Sequence, residues 1–177
     1  MKQAHCINVP QRQYGFAVRG TKSNVLVTEN VLVCTAWFGM DISNSIAFIC
    51  HFDGPKSTED VPRIVKELEE LVSTELRTEL RFESHILNGT PALRCLRADI
   101  TRASLKKQIS KLPRFNEPTD HKFLQTWKAL RSSVMLNVDA SDWMREDYLF
   151  HFCRREVSVD TGRLPEHGTM VKAKGSA

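Results

Sequence analysis

Two apolar runs set close together constrain this chain more than anything else in it: Val31 to Phe38 and Ile46 to Phe52, with Asp41-Ile42-Ser43-Asn44 between them. Asp, Ser and Asn side chains close turns by bonding their own backbone, so the pair predicts a β-hairpin. With the turn centred on Ile42-Ser43, Trp37 faces Phe48, Ala36 faces Ile49 and Cys34 faces His51. Directly opposed residues hold their Cβ atoms roughly 4.5–5.5 Å apart on one face of a sheet. A thiol and an imidazole at that spacing can share a proton, which is what a cysteine nucleophile needs from its base. A slip of one residue would send the two side chains to opposite faces.

Around that hairpin the 177-residue chain is long enough to bury a core without metal or disulfide help. A single domain over residues 1–171 is expected, with 172–177 as a flexible C-terminal tail frayed at Gly175-Ser176-Ala177. A hydrophobic share of 41% against 26% charged residues places the chain among globular proteins rather than disordered ones. The net charge of +4 is spread along the chain, so neither nucleic acid nor an anionic membrane is indicated as a partner. Five cysteines with no CxxC spacing fit free thiols in a reducing compartment. No apolar run is long enough to span a bilayer and Met1 to His5 does not begin a signal peptide, so the expectation is a cytoplasmic protein without membrane insertion.

Taken in order, Gln13 to Arg19 and Asn24 to Thr28 read as short strands, with Glu29-Asn30 interrupting the chain before Val31. After the hairpin, Val61, Ile64, Val65, Leu68, Leu71 and Val72 recur at helical spacing and predict an amphipathic helix over about 58–76, its charged face solvated. Arg81 to Leu87 and Ala92 to Asp99 read as strands about an Asn88-Gly89 turn. Thr101 caps a short helix carrying Leu105, Ile109 and Leu112, and Thr119 caps a third with Phe123, Leu124, Trp127 and Leu130 inward. Val134 to Val138, Tyr148 to Cys153 and Glu156 to Val159 complete about eight strands. Without strict βαβ alternation the fold class is α+β: a mixed, largely antiparallel sheet or sandwich under about three helices.

The sequence lacks G-x-S-x-G, G-x-x-x-x-G-K-[ST], G-x-G-x-x-G and H-E-x-x-H, which argues against the hydrolase, nucleotide and zincin classes that use them. Zinc would have to assemble from the scattered Cys50, His51, Cys95 and His85, whose spacing resembles no structural site. Cys34 also has a plain reading as a small core hydrophobe, and Cys50 points to the opposite face. His85, His121, His151 and His167 carry no partner pattern.

Thr28, Cys34 and His51 nevertheless resemble, in kind, order and spacing, the threonine, cysteine and histidine of the chemoreceptor glutamine deamidases of the CheD family, which is related to the catalytic domains of the cytotoxic necrotizing factors and of Burkholderia lethal factor. The apolar strand into the cysteine, the second strand ending in His51-Phe52, Pro55 and the following helix are similar too, as is Phe150-His151-Phe152 ahead of Asp160-Thr161-Gly162-Arg163. The chain departs from that pattern at Leu32-Val33, where the family has Gly-Ser, and in its second half, where the glycine-rich segments are missing.

The resemblance implies a protein-glutamine deamidase with Cys34 as nucleophile, His51 as base and acid, and Thr28 holding the ring; it implies no cofactor and a protein substrate, chemoreceptor-like or from a host if the chain is a secreted effector. Six residues of straight strand span about 20 Å, so Thr28 reaches His51 only if Glu29-Asn30 turns the chain back. The other class that fits is a protein-binding module of the same fold with Cys34 inert.

Overall fold

The computed structural model describes residues 6–20, 25–29, 31, 34–43, 46–88, 96–121, 126–131, 134–139 and 169–176. In chain order these form β1 (Cys6–Asn8), β2 (Gln13–Val18), β3 (Val25–Thr28), β4 (Thr35–Asp41), β5 (Ile46–Phe52), a 3₁₀ turn (Lys56–Asp60), α1 (Val61–Glu69), α2 (Thr74–Arg77), β6 (Phe82–Asn88), α3 (Leu96–Ile109), β7 (Thr119–His121), β8 (Thr126–Arg131), β9 (Val134–Asp139) and β10 (Val171–Lys172). The fold is α+β, and most paired strand residues run antiparallel.

The larger sheet has strand order β10-β2-β5-β4-β6-β7 and the smaller β1-β3-β9-β8. Every residue of β4 and β5 is buried, as expected of strands covered on both faces. Period-two alternation divides their side chains between two cores. Ala36, Phe38, Ala47 and Ile49 share one with Ile7, Val9 and Leu26 of the smaller sheet's side. Trp37, Phe48, Cys50 and Phe52 share the other with Val61, Ile64, Val65 and Leu68 of α1 and Leu105 and Ile109 of α3. The result is three layers: sheet, sheet, helices. At Gly15 an added Cβ would lie 2.9 Å from Val9 Cγ2 and 3.3 Å from Leu26 Cδ2, so the absence of a side chain there lets the sheets approach.

The hairpin forms, but its register is displaced by two residues from the expected one. Ala36 stands opposite His51, Trp37 opposite Cys50 and Phe38 opposite Ile49. The cause is the connection. Asp41 Oδ1 accepts from Ile46 N–H at 2.9 Å and its Oδ2 from Ser43 N–H at 3.2 Å, which holds open a longer loop than a two-residue turn. An even displacement keeps every side chain on its predicted face.

Other expectations need correction. The helix expected over 58–76 is confined to Val61–Glu69. Pro62 has no N–H for the Thr58 carbonyl, and the segment before it winds as a 3₁₀ turn. At the far end Arg77 Nε donates to the Glu69 and Val72 carbonyls at 3.1 and 3.2 Å, closing the first helix where α2 begins. Its charged face is only partly solvated, since Glu67 accepts from Tyr14 Oη at 2.8 Å and Glu69 pairs with Arg114 at 2.8 Å. Leu96 to Asp99 is helical, not extended, and Thr101 lies buried inside α3 rather than at its cap. The third helix expected from Thr119 is replaced by β7 and β8, where ladder pairing such as Trp127 with Val138 overrides helical spacing.

The C-terminal tail is not free either. Val171 and Lys172 pair in parallel with Gln13 and Tyr14, and Ala173 is buried in the inter-sheet core. Strands expected at 148–153 and 156–159, and the turn at 160–163, lie outside the described residues.

Candidate active site

His51 is the penultimate residue of β5, and the pleat aims it into the layer between the two sheets, where it is 2% exposed. Thr28 ends β3 in the smaller sheet and meets it there, with Thr28 Oγ1 2.8 Å from His51 Nδ1. The approach that a straight strand forbids is achieved by placing the two residues in different sheets. Thr28 Oγ1 also donates to the Val9 carbonyl at 2.6 Å. One hydroxyl proton cannot serve two acceptors, so His51 Nδ1 carries the hydrogen that Thr28 accepts, and Nε2 holds the lone pair.

Among the described residues that nitrogen has no hydrogen-bond partner. Burial lowers the ring's pKa from 6.5 to about 4, against a weaker opposing pull from the Val9 carbonyl. At neutral pH His51 is therefore a neutral base with its accepting nitrogen unoccupied.

Cys34 sits in a bend one residue ahead of β4, 4% exposed, in the same inter-sheet core as Val31, Ala36 and Leu87. The predicted face is correct, while the predicted direct opposition is not. If the β4–β5 register is continued one step, His51 lies on the diagonal from Cys34, a relation that spans about 7–8 Å between backbones. Cys50 lies on the other face among Trp37 and Phe52, where burial raises its thiol pKa well above normal. It cannot join His51 in a ligand pair. Cys95 lies outside the described residues.

Sequence reasoning missed what frames this histidine. Pro10 to Gln13 makes a tight corner closed by Gln13 N–H on the Pro10 carbonyl at 3.1 Å, and Arg12 within it has φ 64°. A side chain in that region costs about 1–2 kcal/mol. It is held there because Arg12 N–H donates to the His51 carbonyl at 2.7 Å and the Arg12 carbonyl accepts from Val171 N–H at 3.0 Å. The arrangement corresponds to a β-bulge whose first position usually holds glycine. No glycine marks it in the sequence. The corner forms one wall of a cleft of about 220 Å³ lined by Asn8, Pro10, Gln11, Glu29 and His51.

A second pair escaped prediction. His85 Nδ1 lies 2.9 Å from His121 Nε2, because β7 pairs in parallel with β6 and sets His121 beside Leu87. His151 and His167 lie outside the described residues.

Compared with known proteins, the chain matches no family model, and no curated protein is significantly similar to it in sequence.

Proposed function

We propose that this chain is a cysteine-dependent amidohydrolase that converts glutamine side chains of a target protein to glutamate, the activity implied by its resemblance to the CheD-type deamidases. The observation that carries the reading is the buried Thr28–His51 bond, which leaves Nε2 of a neutral imidazole without a partner among the described residues, on a side chain whose residue lines a cleft. A structural histidine has no need of that arrangement, because leaving a buried acceptor unsatisfied costs about 1–3 kcal/mol.

In this mechanism His51 Nε2 takes the Cys34 thiol proton and the thiolate attacks the carboxamide carbon. Collapse of the tetrahedral intermediate breaks the C–N bond, and His51⁺ protonates the departing nitrogen, which leaves as ammonia. Water, deprotonated by the same ring, cleaves the thioester and restores the thiol. Thr28 positions the base without touching substrate. The thiol and Nε2 are not hydrogen-bonded in the resting structure, and such contacts commonly tighten only when substrate is bound.

The binding-module reading is favoured by one observation, the deep burial of Cys34. Two measurements separate the readings. Candidate target proteins incubated with the wild type should show a Gln-to-Glu mass increase that Cys34→Ser does not produce. Iodoacetamide near neutral pH should label Cys34 faster than the exposed Cys6, and His51→Ala should abolish that advantage. Labelling of Cys34 no faster than that of the buried Cys50, with no mass change in any target, would leave the binding module.

A further inference from the structure

We infer that the cleft beside His51 receives a carboxamide presented by a positively charged segment of a partner protein, and that Glu29 is the residue selecting for that charge. The inference rests on the deamidase reading for turnover but on the cleft alone for binding.

The lining sets the chemistry of the ligand. Among the described residues nothing donates to His51 Nε2, so a ligand N–H is a complement to it in the bound complex until the thiol proton takes that lone pair. Asn8 and Gln11 bring carboxamides that can donate to a ligand carbonyl and accept from its N–H groups. A primary amide satisfies both demands at once, whereas a carboxylate would bring only lone pairs to a lone pair.

The charge of the cleft sets the surroundings of that amide. Glu29 is the only formally charged residue of the five that line it, and it is exposed with no ion pair among the described residues. Arg12 and Asp53, which flank the same corner, lie 3.4 Å apart and offset one another. Among the described residues the lining thus carries one negative charge, on a chain whose net charge is +4. A lysine or arginine next to the incoming glutamine gains from Glu29, and an aspartate or glutamate there is repelled. The position of Glu29, immediately after Thr28, ties this selection to the residue that orients the base.

The test uses two short acetylated peptides, one with glutamine between lysines and one with glutamine between glutamates. Binding to Cys34→Ser is read by fluorescence anisotropy at low salt, and ammonia release is read with the wild-type thiol in place. A rim charge of this kind is worth about 1 kcal/mol, so the lysine-flanked peptide should bind about fivefold tighter. Glu29→Gln should remove the preference, Glu29→Lys should reverse it, and added salt should shrink it. A lysine-flanked peptide with alanine in place of glutamine should bind more weakly than its glutamine counterpart. Equal binding of the two glutamine peptides, a preference that survives Glu29→Gln, or no binding of any peptide would each overturn the inference. A binding preference without ammonia from any peptide would instead remove the deamidase reading and leave the cleft's selectivity standing.

Discussion

His51 shows how burial decides the state of a single group. Its ring titrates near 4 in the folded chain and near 6.5 when unfolded, so on acidification the unfolded state takes up the proton first. The stability conferred by a neutral buried ring is present in full above pH 6.5, declines as pH falls through that value, and levels off below about 4. A shift of that size corresponds to on the order of 3 kcal/mol. Urea unfolding at pH 7 and pH 4.5 should therefore show a loss in the wild type that is distinctly smaller in His51→Gln. Parallel losses in the two proteins would place the acid sensitivity elsewhere. In the proposed mechanism the same physics means that the ring is a ready acceptor at pH 7 but a reluctant cation, so the thiolate would have to form close enough to stabilise His51⁺.

Among the elements, the corner between β1 and β2 carries the site more than its length suggests. Arg12 stands where glycine would fit without strain, pinned by main-chain bonds to His51 and Val171. Arg12→Gly and Arg12→Ala both delete the guanidinium and its contact to Asp53, so comparing them isolates the backbone. The glycine variant should be the more stable by about 1 kcal/mol, the reverse of the usual order within strands and helices. Urea midpoints read this directly, and an alanine variant at least as stable as the glycine one would mean that the corner carries no strain. The hairpin teaches a related lesson. Asp41 accepts two backbone amides and lengthens the loop, and the face shared by Cys34 and His51 survives only because the displacement is even.

At the scale of the molecule, the stacked sheets explain why Thr28 and His51 meet, and β10 forms the strand that pairs with β2 at one edge of the larger sheet. Met170 N–H donates to Asp60 at 2.6 Å, Arg63 donates to the Met170 carbonyl at 2.9 Å, and Val171 and Ala173 N–H bond the carbonyls of Arg12 and Tyr14. With these bonds worth roughly 1 kcal/mol apiece, removing residues 170–177 should lower the thermal midpoint by about 10 °C. A free tail would leave the midpoint unchanged. Because Val171 bonds the Arg12 carbonyl, the truncation should also reduce any deamidation, through the corner that supports His51. No helix among the described residues is long and apolar enough to cross a membrane.

The sequence by itself determined what depends on neighbours along the chain. Period-two alternation divided the hairpin into two faces and put Cys34 and His51 on the same one, and apolar recurrence at helical spacing located Val61 to Leu68. Only the tertiary structure decided what depends on residues far apart in the chain. The hydroxyl of Thr28 reaches His51 across two sheets, Arg12 is forced into the left-handed region by partners at positions 51 and 171, and β7 delivers His121 to His85. Local patterns record which side of a strand is apolar. They do not record which strand will lie against it, because that is chosen by the burial and pairing of the whole chain at once.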